Sequence, residues 1–454
     1  MSSERSNASP KKIVIVGGGI IGCTTAYYLS HHPSFRSGVD QITILEASTT
    51  GVAQGASGKA GGLIAKWAYP TELVGVSFPE HVRLAELHNG AERWGWRYVN
   101  FGRWEGRGED YPSPANTSAG AGDGEVAGLE SSNDERGKGK RLPDDLRWVK
   151  GSLTDVYSPM GEDGDTAQVH PYQFTTSMLE LAQSKGVKLR LGAIGGPIAF
   201  DVENVTGVFY QSLTTPTEFA PATHTILCAG PWTPSILPSV PVKATLAHSI
   251  VIQPQPNVQI PSHVLFTKID PPGGTNDEPS SVQIYARPDN EVYACRTADK
   301  SPLPYFADDV KVDDAACEAI FKDVASISPE LRAGTVVKKQ TSFVPTVKKG
   351  RLGGPIVGPA PRMAKGYCIA TGHTCWVSII LTVFTNKNST SPLPCLENTR
   401  ALLYLTIHHT AFWMPKGICN APGTAKVLAE LVYEGKITSA NLADLAPSKY
   451  ASTL

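Results

Sequence analysis

The period of the apolar positions changes along the chain, and each change marks an element. Residues 13 to 16, IVIV, form a continuous apolar run that suits a strand buried on both faces of a parallel sheet. The run passes through GGGIIG into CTTAYYLSHH, a helix-compatible stretch that stops at Pro33, and a second strand follows in QITILEAS. A β-α-β order so early in the chain predicts the opening of a doubly wound sheet. Further on, Val82, Leu84, Leu87 and Trp94 lie among charges and predict a helix over 80–99. PYQFTTSMLELAQSKGVKLRL predicts a helix closed by Gly186 and then a strand, and THTILCAG another buried strand ending at Gly230. Between Val242 and Ser301 the stretches HSIVIQP, SVQIYARP and EVYACRT are short, alternating and Pro-punctuated, which predicts an antiparallel sheet in a second domain. Residues 116–140 are rich in Ser, Gly, Asn, Glu and Lys and read as a disordered excursion with no core of its own. The predicted fold class is therefore α/β: a Rossmann-like doubly wound parallel sheet with a smaller antiparallel-sheet domain.

Composition narrows the partners. With 454 residues, 41% hydrophobic and 18% charged, the chain has room for two or three globular domains. A net charge of −1 gives no electrostatic reason to expect nucleic acid or an acidic membrane surface, which leaves small molecules. The eight cysteines show no CxxC spacing, so we expect reduced thiols, no disulfide and no metal site. MSSERSNASPKK has neither the apolar core of a secretory signal nor the pattern of a transit peptide, and the terminal ASTL is not a peroxisomal signal. The longest uncharged apolar run, VSIILTVF, falls short of the roughly 20 residues a spanning helix needs. These features predict a cytoplasmic protein.

The chemistry-bearing motif is Gly17-x-Gly19-x-x-Gly22, set between strand and helix, with Ile20 and Ile21 inside it. Gly17 permits the tight turn, Gly19 lets backbone N–H groups approach a pyrophosphate at the helix N-terminus, and Gly22 lets helix and strand pack closely. Glu46, followed by Ala47, closes the second strand, where a carboxylate accepts hydrogen bonds from ribose hydroxyls and repels a 2′-phosphate. This constellation predicts a dinucleotide and leaves FAD and NAD both open.

Three further stretches narrow the choice. GASGKAGG at 55–62, ILCAGPW at 226–232 and GYCIATGHTCW at 366–376, in that order after the glycine motif, resemble the D-amino-acid-oxidase superfamily of FAD-dependent oxidoreductases. That superfamily includes glycine oxidase, the sarcosine oxidases and a group of fungal oxidoreductases. The resemblance covers most of the chain. It implies an FAD-binding domain of residues 1–100, 165–240 and 341–454, and a substrate domain of residues 101–164 and 241–340. It implies that Ser57, Gly58, Lys59, Gly61, Gly62 and Leu63 wrap the pyrophosphate and flavin edge, where small residues avoid the cofactor. By the same resemblance Ala229 and Gly230 meet the adenosine half with Trp232 behind them, and Gly372, His373 and Thr374 pass the flavin ring. The expected activity is oxidation of a C–N bond of an amino acid or amine by hydride transfer to flavin N5, with O2 as acceptor. Alternatives are a carrier-dependent dehydrogenase and a scaffold that keeps FAD without turnover.

The family pattern is interrupted once. Joining Trp376 to Gly417 gives ATGHTCWGICNAPGTAKVLAEL, an unbroken motif whose helix starts at Gly417 and points its N-terminus at the flavin. Residues 377–416 separate the halves and read either as a genuine loop or as a retained intron. Val-Ser can be encoded as a splice donor, Leu405-Thr406 as a branch point and Lys416 as an acceptor, which favours the intron.

Substrate anchoring departs from the pattern. Where many relatives carry an Arg, this chain has Val344, and where sarcosine-oxidase-like members carry a basic residue after GH, it has Trp376. Their flavin-linking cysteine falls near Ser342, so the FAD is expected to be noncovalent. Lys66 is the candidate carboxylate anchor by resemblance, with His373 and Trp376 beside the ring. Lys59 faces either flavin N1 or solvent. Arg287 and Arg296 lie on the expected sheet over the flavin, although strand arginines are more often on the surface; Tyr285 is a candidate pocket wall and His248 a structural residue.

Overall fold

A computed structural model describes residues 9–111, 142–212, 216–274, 277–298, 301–347, 354–377, 412–415 and 417–454. The 116–140 excursion lies outside them. A six-stranded sheet runs in the order Ile356–Pro359, Tyr367–Thr371, His224–Leu227, Lys12–Val16, Gln41–Leu45, Lys188–Arg190. Its pairs are parallel apart from the edge strand Ile356–Pro359. The continuous run IVIV has a direct explanation: Ile13 and Ile15 enter one core, Val14 and Val16 another. On the first face pack the helices Ile20–Ser30, Pro171–Gln183 and Gly417–Glu434. Against the other face lies a three-stranded sheet, Ala193–Phe200, Val205–Ser212 and Glu218–Pro221.

The second large sheet has nine strands, in the order Phe412–Pro415, Thr374–Val377, Thr335–Val347, Val242–Gln253, Val292–Ala298, Gln283–Ala286, His263–Asp270, Asn100–Arg107, Thr154–Pro159. It is antiparallel as expected, except that His263–Asp270 with Asn100–Arg107 and Thr335–Val347 with Thr374–Val377 are parallel pairs. Helix Asp314–Ile327 covers it, with Cys317 and Ile320 packed in one cluster with Ile250 and Ile252. The expected boundary between 340 and 341 falls inside the strand Thr335–Val347, which belongs wholly to this sheet.

The helix expected over 80–99 is corrected. The chain forms Thr71–Leu87, then Gly90–Trp94, then a short strand Arg97–Tyr98. Asn89 between the helices takes a left-handed conformation, φ 54°, which ends the first one. Pro79 lies inside Thr71–Leu87, so the residues before it, which look like a boundary in sequence, are helical.

Candidate functional site

The site begins where strand Lys12–Val16 turns into helix Ile20–Ser30. Gly17 has φ +112°, and a Cβ there would lie 2.5 Å from the Cys228 carbonyl oxygen of the neighbouring strand. A Cβ on Gly22 would lie 2.0 Å from the Gly17 oxygen, so helix and turn meet only because both residues lack side chains. Gly22 therefore shapes the wall without lining it. Ser57 Oγ accepts from the Ile20 N–H at 2.9 Å and caps the helix from the 55–63 loop. Glu46 is enclosed beside this turn, with Oε2 accepting from Gly18 N–H at 2.6 Å and Oε1 from Ser48 N–H at 2.8 Å. Burial raises its pKa above the ordinary glutamate value, opposed by those two N–H groups.

A single elongated cavity of about 460 Å³ runs from here to the start of helix Gly417–Glu434. Gly17, Gly19, Glu46 and Ala47 line one end with Ser57, and Ile20 and Ile21 also line the cavity, Ile20 Cγ2 lying 3.6 Å from a Cβ built on Gly417. Ala229, Gly230 and Trp232 line the middle, and the Trp232 indole N–H donates to Pro304 O at 2.8 Å. Gly372, His373, Thr374 and Gly417 close the far end. Gly417 is 44 positions beyond His373 in sequence, yet a Cβ built on it would lie 3.9 Å from the His373 Cβ. His373 is buried, its Nε2 lies 3.1 Å from Thr424 Oγ1, and burial pushes its pKa down to about 3, so the ring is neutral at physiological pH.

Other expected residues lie elsewhere. Gly58, Gly61 and Gly62 are not in this cavity wall; added Cβ atoms would meet Ala53 O at 2.3 Å, the Tyr285 ring at 2.5 Å and Val169 O at 1.9 Å. Close packing of the protein on itself, not on a ligand, demands these glycines. Leu63 opens the strand Leu63–Ala65 and packs against the cluster around Phe101 and Tyr285. Lys66 is corrected outright: its side chain is exposed and its Nζ pairs with Asp165 Oδ1 at 3.0 Å. The cause is register, since Ala65 stands opposite Thr166 and the next residue on each strand faces out together. Trp376 is placed by its backbone opposite Trp413; its side chain lies outside the described residues.

A second, smaller chamber adjoins the far end, sharing Ala56, Ala60, Val344 and Thr374 with the cavity. Lys59 belongs to this chamber, with Gln283, Tyr293, Cys295, Arg296 and Ser342. Lys59 Nζ donates to Thr341 O at 3.2 Å, and burial lowers its pKa. Arg296 is engaged by Asp323 at 2.9 Å. Val344 faces the shared wall, so no guanidinium projects from that position. His248 pairs with Thr341 Oγ1 at 3.1 Å, and Tyr285 is packed under Gly61.

Residues that sequence reading missed come chiefly from the three-stranded sheet. Ala193, Ile194, Gly195, Gly196 and Pro197, with Phe209, Tyr210 and Gln211, complete the Glu46 end. The signal available was the small-residue run AIGGP: a Cβ on Gly195 would lie 2.4 Å from Val16 Cγ1.

This chain of sites, from an enclosed acid past a glycine turn to a helix N-terminus, fits a long dinucleotide. The sequence profile of the DAO family, "FAD dependent oxidoreductase", matches residues 12–379. The chain belongs to that family. "Putative oxidoreductase TDA3" of Saccharomyces cerevisiae is 28% identical over 552 aligned residues, covering 98% of this chain and 96% of that protein. "Putative oxidoreductase C1F5.03c" of Schizosaccharomyces pombe is 28% identical, covering 97% and 98%. Among solved structures, glycine oxidase from Geobacillus kaustophilus superposes with a TM-score of 0.63 at 16% identity, covering 97% of this chain and 98% of its own. Iminodiacetate oxidase from Chelativorans sp. BNC1 gives 0.62 at 18%, covering 96% and 98%. L-amino acid deaminase from Proteus myxofaciens gives 0.62 at 15%, covering 97% and 94%. These likenesses establish the fold. Among the described residues no helix is long and apolar enough to cross a membrane.

Proposed function

We propose that this family member oxidises a C–N bond of a small amino acid or amine, with noncovalent FAD in the elongated cavity, substrate in the adjoining chamber and O2 as acceptor. The observation that carries the reading is the junction of the two spaces at Ala56, Ala60, Val344 and Thr374, where a ring filling the end of one becomes the floor of the other. Bound there, FAD supplies a two-electron acceptor, which is why the protein needs no nucleophile or paired acids of its own.

The residues divide the remaining work. Gly17 and Gly19 let the backbone approach the pyrophosphate at the N-terminus of Ile20–Ser30, and Glu46 offers its remaining lone pairs to ribose hydroxyls. The N-terminus of Gly417–Glu434, reaching the cavity at Gly417 and Ile418, favours negative charge at the ring end. In the chamber Lys59 is the cation without a carboxylate partner among the described residues, whereas Arg296 already has Asp323. We therefore assign the substrate carboxylate to Lys59 in place of Lys66. Ser342 cannot form a thioether, and the Cys295 thiol, pushed up to about 12 by burial, stays protonated and unreactive; both support noncovalent attachment. The names of the glycine, iminodiacetate and L-amino acid enzymes above favour the same substrate class.

The test is anaerobic. Purified protein is expected to show a flavin spectrum that precipitation with acid releases into solution, and one member of a panel of D-, L- and N-methyl amino acids and amines bleaches it. Admitting air then restores the colour with formation of hydrogen peroxide. Bleaching without peroxide identifies a dehydrogenase; no bleaching by any member leaves the non-catalytic alternative.

A further inference from the structure

The loop Lys59–Gly62 is held in an unusual way. Four consecutive carbonyls each receive a donor: Tyr293 Oη–H to Lys59 O at 2.7 Å, Arg287 Nη2 to Ala60 O at 2.5 Å, Gln168 Nε2 to Gly61 O at 3.4 Å, and Val169 N–H to Gly62 O at 3.0 Å. Gln168 is oriented in turn by Arg97, whose Nη2 donates to Gln168 Oε1 at 3.2 Å. In a trans peptide the N–H points away from the carbonyl of the same plane, so tying the carbonyls fixes the amide edge of the loop as well. The N–H groups of Ala60, Gly61 and Gly62 donate to no acceptor among the described residues, although Gly61 and Gly62 are buried. Of the three, Ala60 alone lines the cavity and the chamber, so its N–H is the one that faces the ligand space.

Arg287 adds a second, independent sign. It is 4% exposed, its guanidinium lies 4.4 Å over the Tyr293 ring, and its Nε is buried with no hydrogen-bond partner. Among the described residues no carboxylate forms an ion pair with it; Glu291, whose backbone carbonyl accepts from the Arg287 N–H, attracts it only at longer range. Burying an unpaired cation costs several kcal/mol, so its retention here calls for a partner the protein alone does not supply. The loop it holds borders both the elongated cavity and the chamber through Ala60.

We propose that Arg287 is a positioning residue for the flavin: with Tyr293 and Gln168 it clasps the Lys59–Gly62 loop, and through the Ala60–Gly61 peptide its charge favours the reduced, negatively charged ring. The proposal rests on the FAD reading above. Arg287 is kept off the substrate by the loop itself, so it acts on the electron affinity of the ring and not on substrate anchoring.

The full-length protein is loaded with FAD, and the wild type, Arg287→Met and Arg287→Lys are each equilibrated with a reference redox dye. Free-flavin affinity is measured separately by fluorescence quenching. R287M is expected to lower the ratio of reduced to oxidised flavin at a fixed dye ratio by about tenfold, the effect of removing one charge a few ångströms behind a peptide in a partly shielded site. R287K, which keeps the charge, recovers most of it. A weaker FAD affinity with an unchanged dye equilibrium overturns the proposal, because it places the charge at the pyrophosphate or in the fold alone. Should R287M not fold, the double variant Gln168→Leu/Tyr293→Phe frees two carbonyls and leaves the cation; a dye equilibrium equal to wild type then overturns the clasp. A wild-type protein that binds no FAD sinks the FAD reading and this inference together, whereas FAD binding with R287M indistinguishable from wild type sinks only the inference.

Discussion

Single residues at this site differ in whether a neighbour can yield. A methyl group on Gly22 meets the Gly17 backbone carbonyl at 2.0 Å, which cannot move aside, whereas one on Gly19 meets the Ser57 hydroxyl at 3.0 Å, the end of a side chain that can shift by a few tenths of an ångström while still capping Ile20. Gly22→Ala should destabilise the protein by more than about 2 kcal/mol and abolish flavin retention. Gly19→Ala should keep the melting temperature within a few degrees and weaken FAD, since the lost capacity is the close approach of the ligand. Melting curves and the flavin content of the purified variants measure both, and equal behaviour of the two would contradict the geometry. The glycine turn was legible in sequence because its constraint is local, three residues and one helix. Lys66 was not legible in the same sense: its partner Asp165 is 99 positions away, and only strand register brings them together. Arg287 illustrates the reverse error, an arginine at a strand end that prior expectation puts on the surface and the fold encloses beneath Ala60.

At the scale of elements the interrupted motif is the point of interest. Most of residues 377–416 lies outside the described residues, but both borders are placed: Thr374–Val377 pairs with Phe412–Pro415, with Thr374 opposite Pro415, and Gly417 starts its helix beside His373. The chain therefore leaves and re-enters at one point, and the family match stops at residue 379, just past the exit. A chain with Trp376 joined directly to Gly417 needs only residues 374–376 to turn back as a tight connection, with the nine-stranded sheet losing an edge pair and no core strand. The shortened protein is expected to fold with a melting temperature no lower than the full chain and to retain at least as much FAD. Absorbance of the two purified forms decides it, and loss of flavin from the shortened form alone would make the segment a working part of the protein. Sequencing the transcript across this junction is the companion measurement. The helix after Gly417 was legible only through the family resemblance, whereas the strands with continuous apolar runs were legible from the sequence pattern itself. The strands Ala193–Phe200 to Glu218–Pro221 were not recognised as a wall of the cavity, because their contact with the ligand space comes from packing against the far face of the parallel sheet.

Across the whole molecule, buried and half-buried histidines set a pH limit that no single element reveals. Burial pushes the pKa of His81, His170 and His224 down to about 4 and that of His373 to about 3. They come from separate places: helix Thr71–Leu87, the N-cap of Pro171–Gln183, a central strand, and the ring end of the cavity. Each is neutral in the folded protein, while in the unfolded chain each takes up a proton as pH falls through about 6.5. The unfolded state then binds more protons than the folded one, so stability is full above that value and is lost progressively as pH falls towards 4. At pH 5.5 each such group costs about 1 kcal/mol, enough for four of them to threaten a protein of ordinary stability. Carboxylates held low by their partners, such as Glu80 beside Lys426, Tyr28 and Arg83, contribute in the same direction but only below their own unfolded range. Glu46, raised by burial, opposes them weakly. The expected melting temperature is flat between pH 7 and 8 and falls steeply from 6.5 to 4.5. His81 tests the cause, since it is wholly buried with Nε2–H donating to Ile418 O at 2.9 Å, where one long helix meets the start of another. His81→Gln removes one titrating group, so it should lower the melting temperature at pH 8 yet make the acid-side slope shallower, and a slope as steep as wild type would show that His81 carries none of the loss.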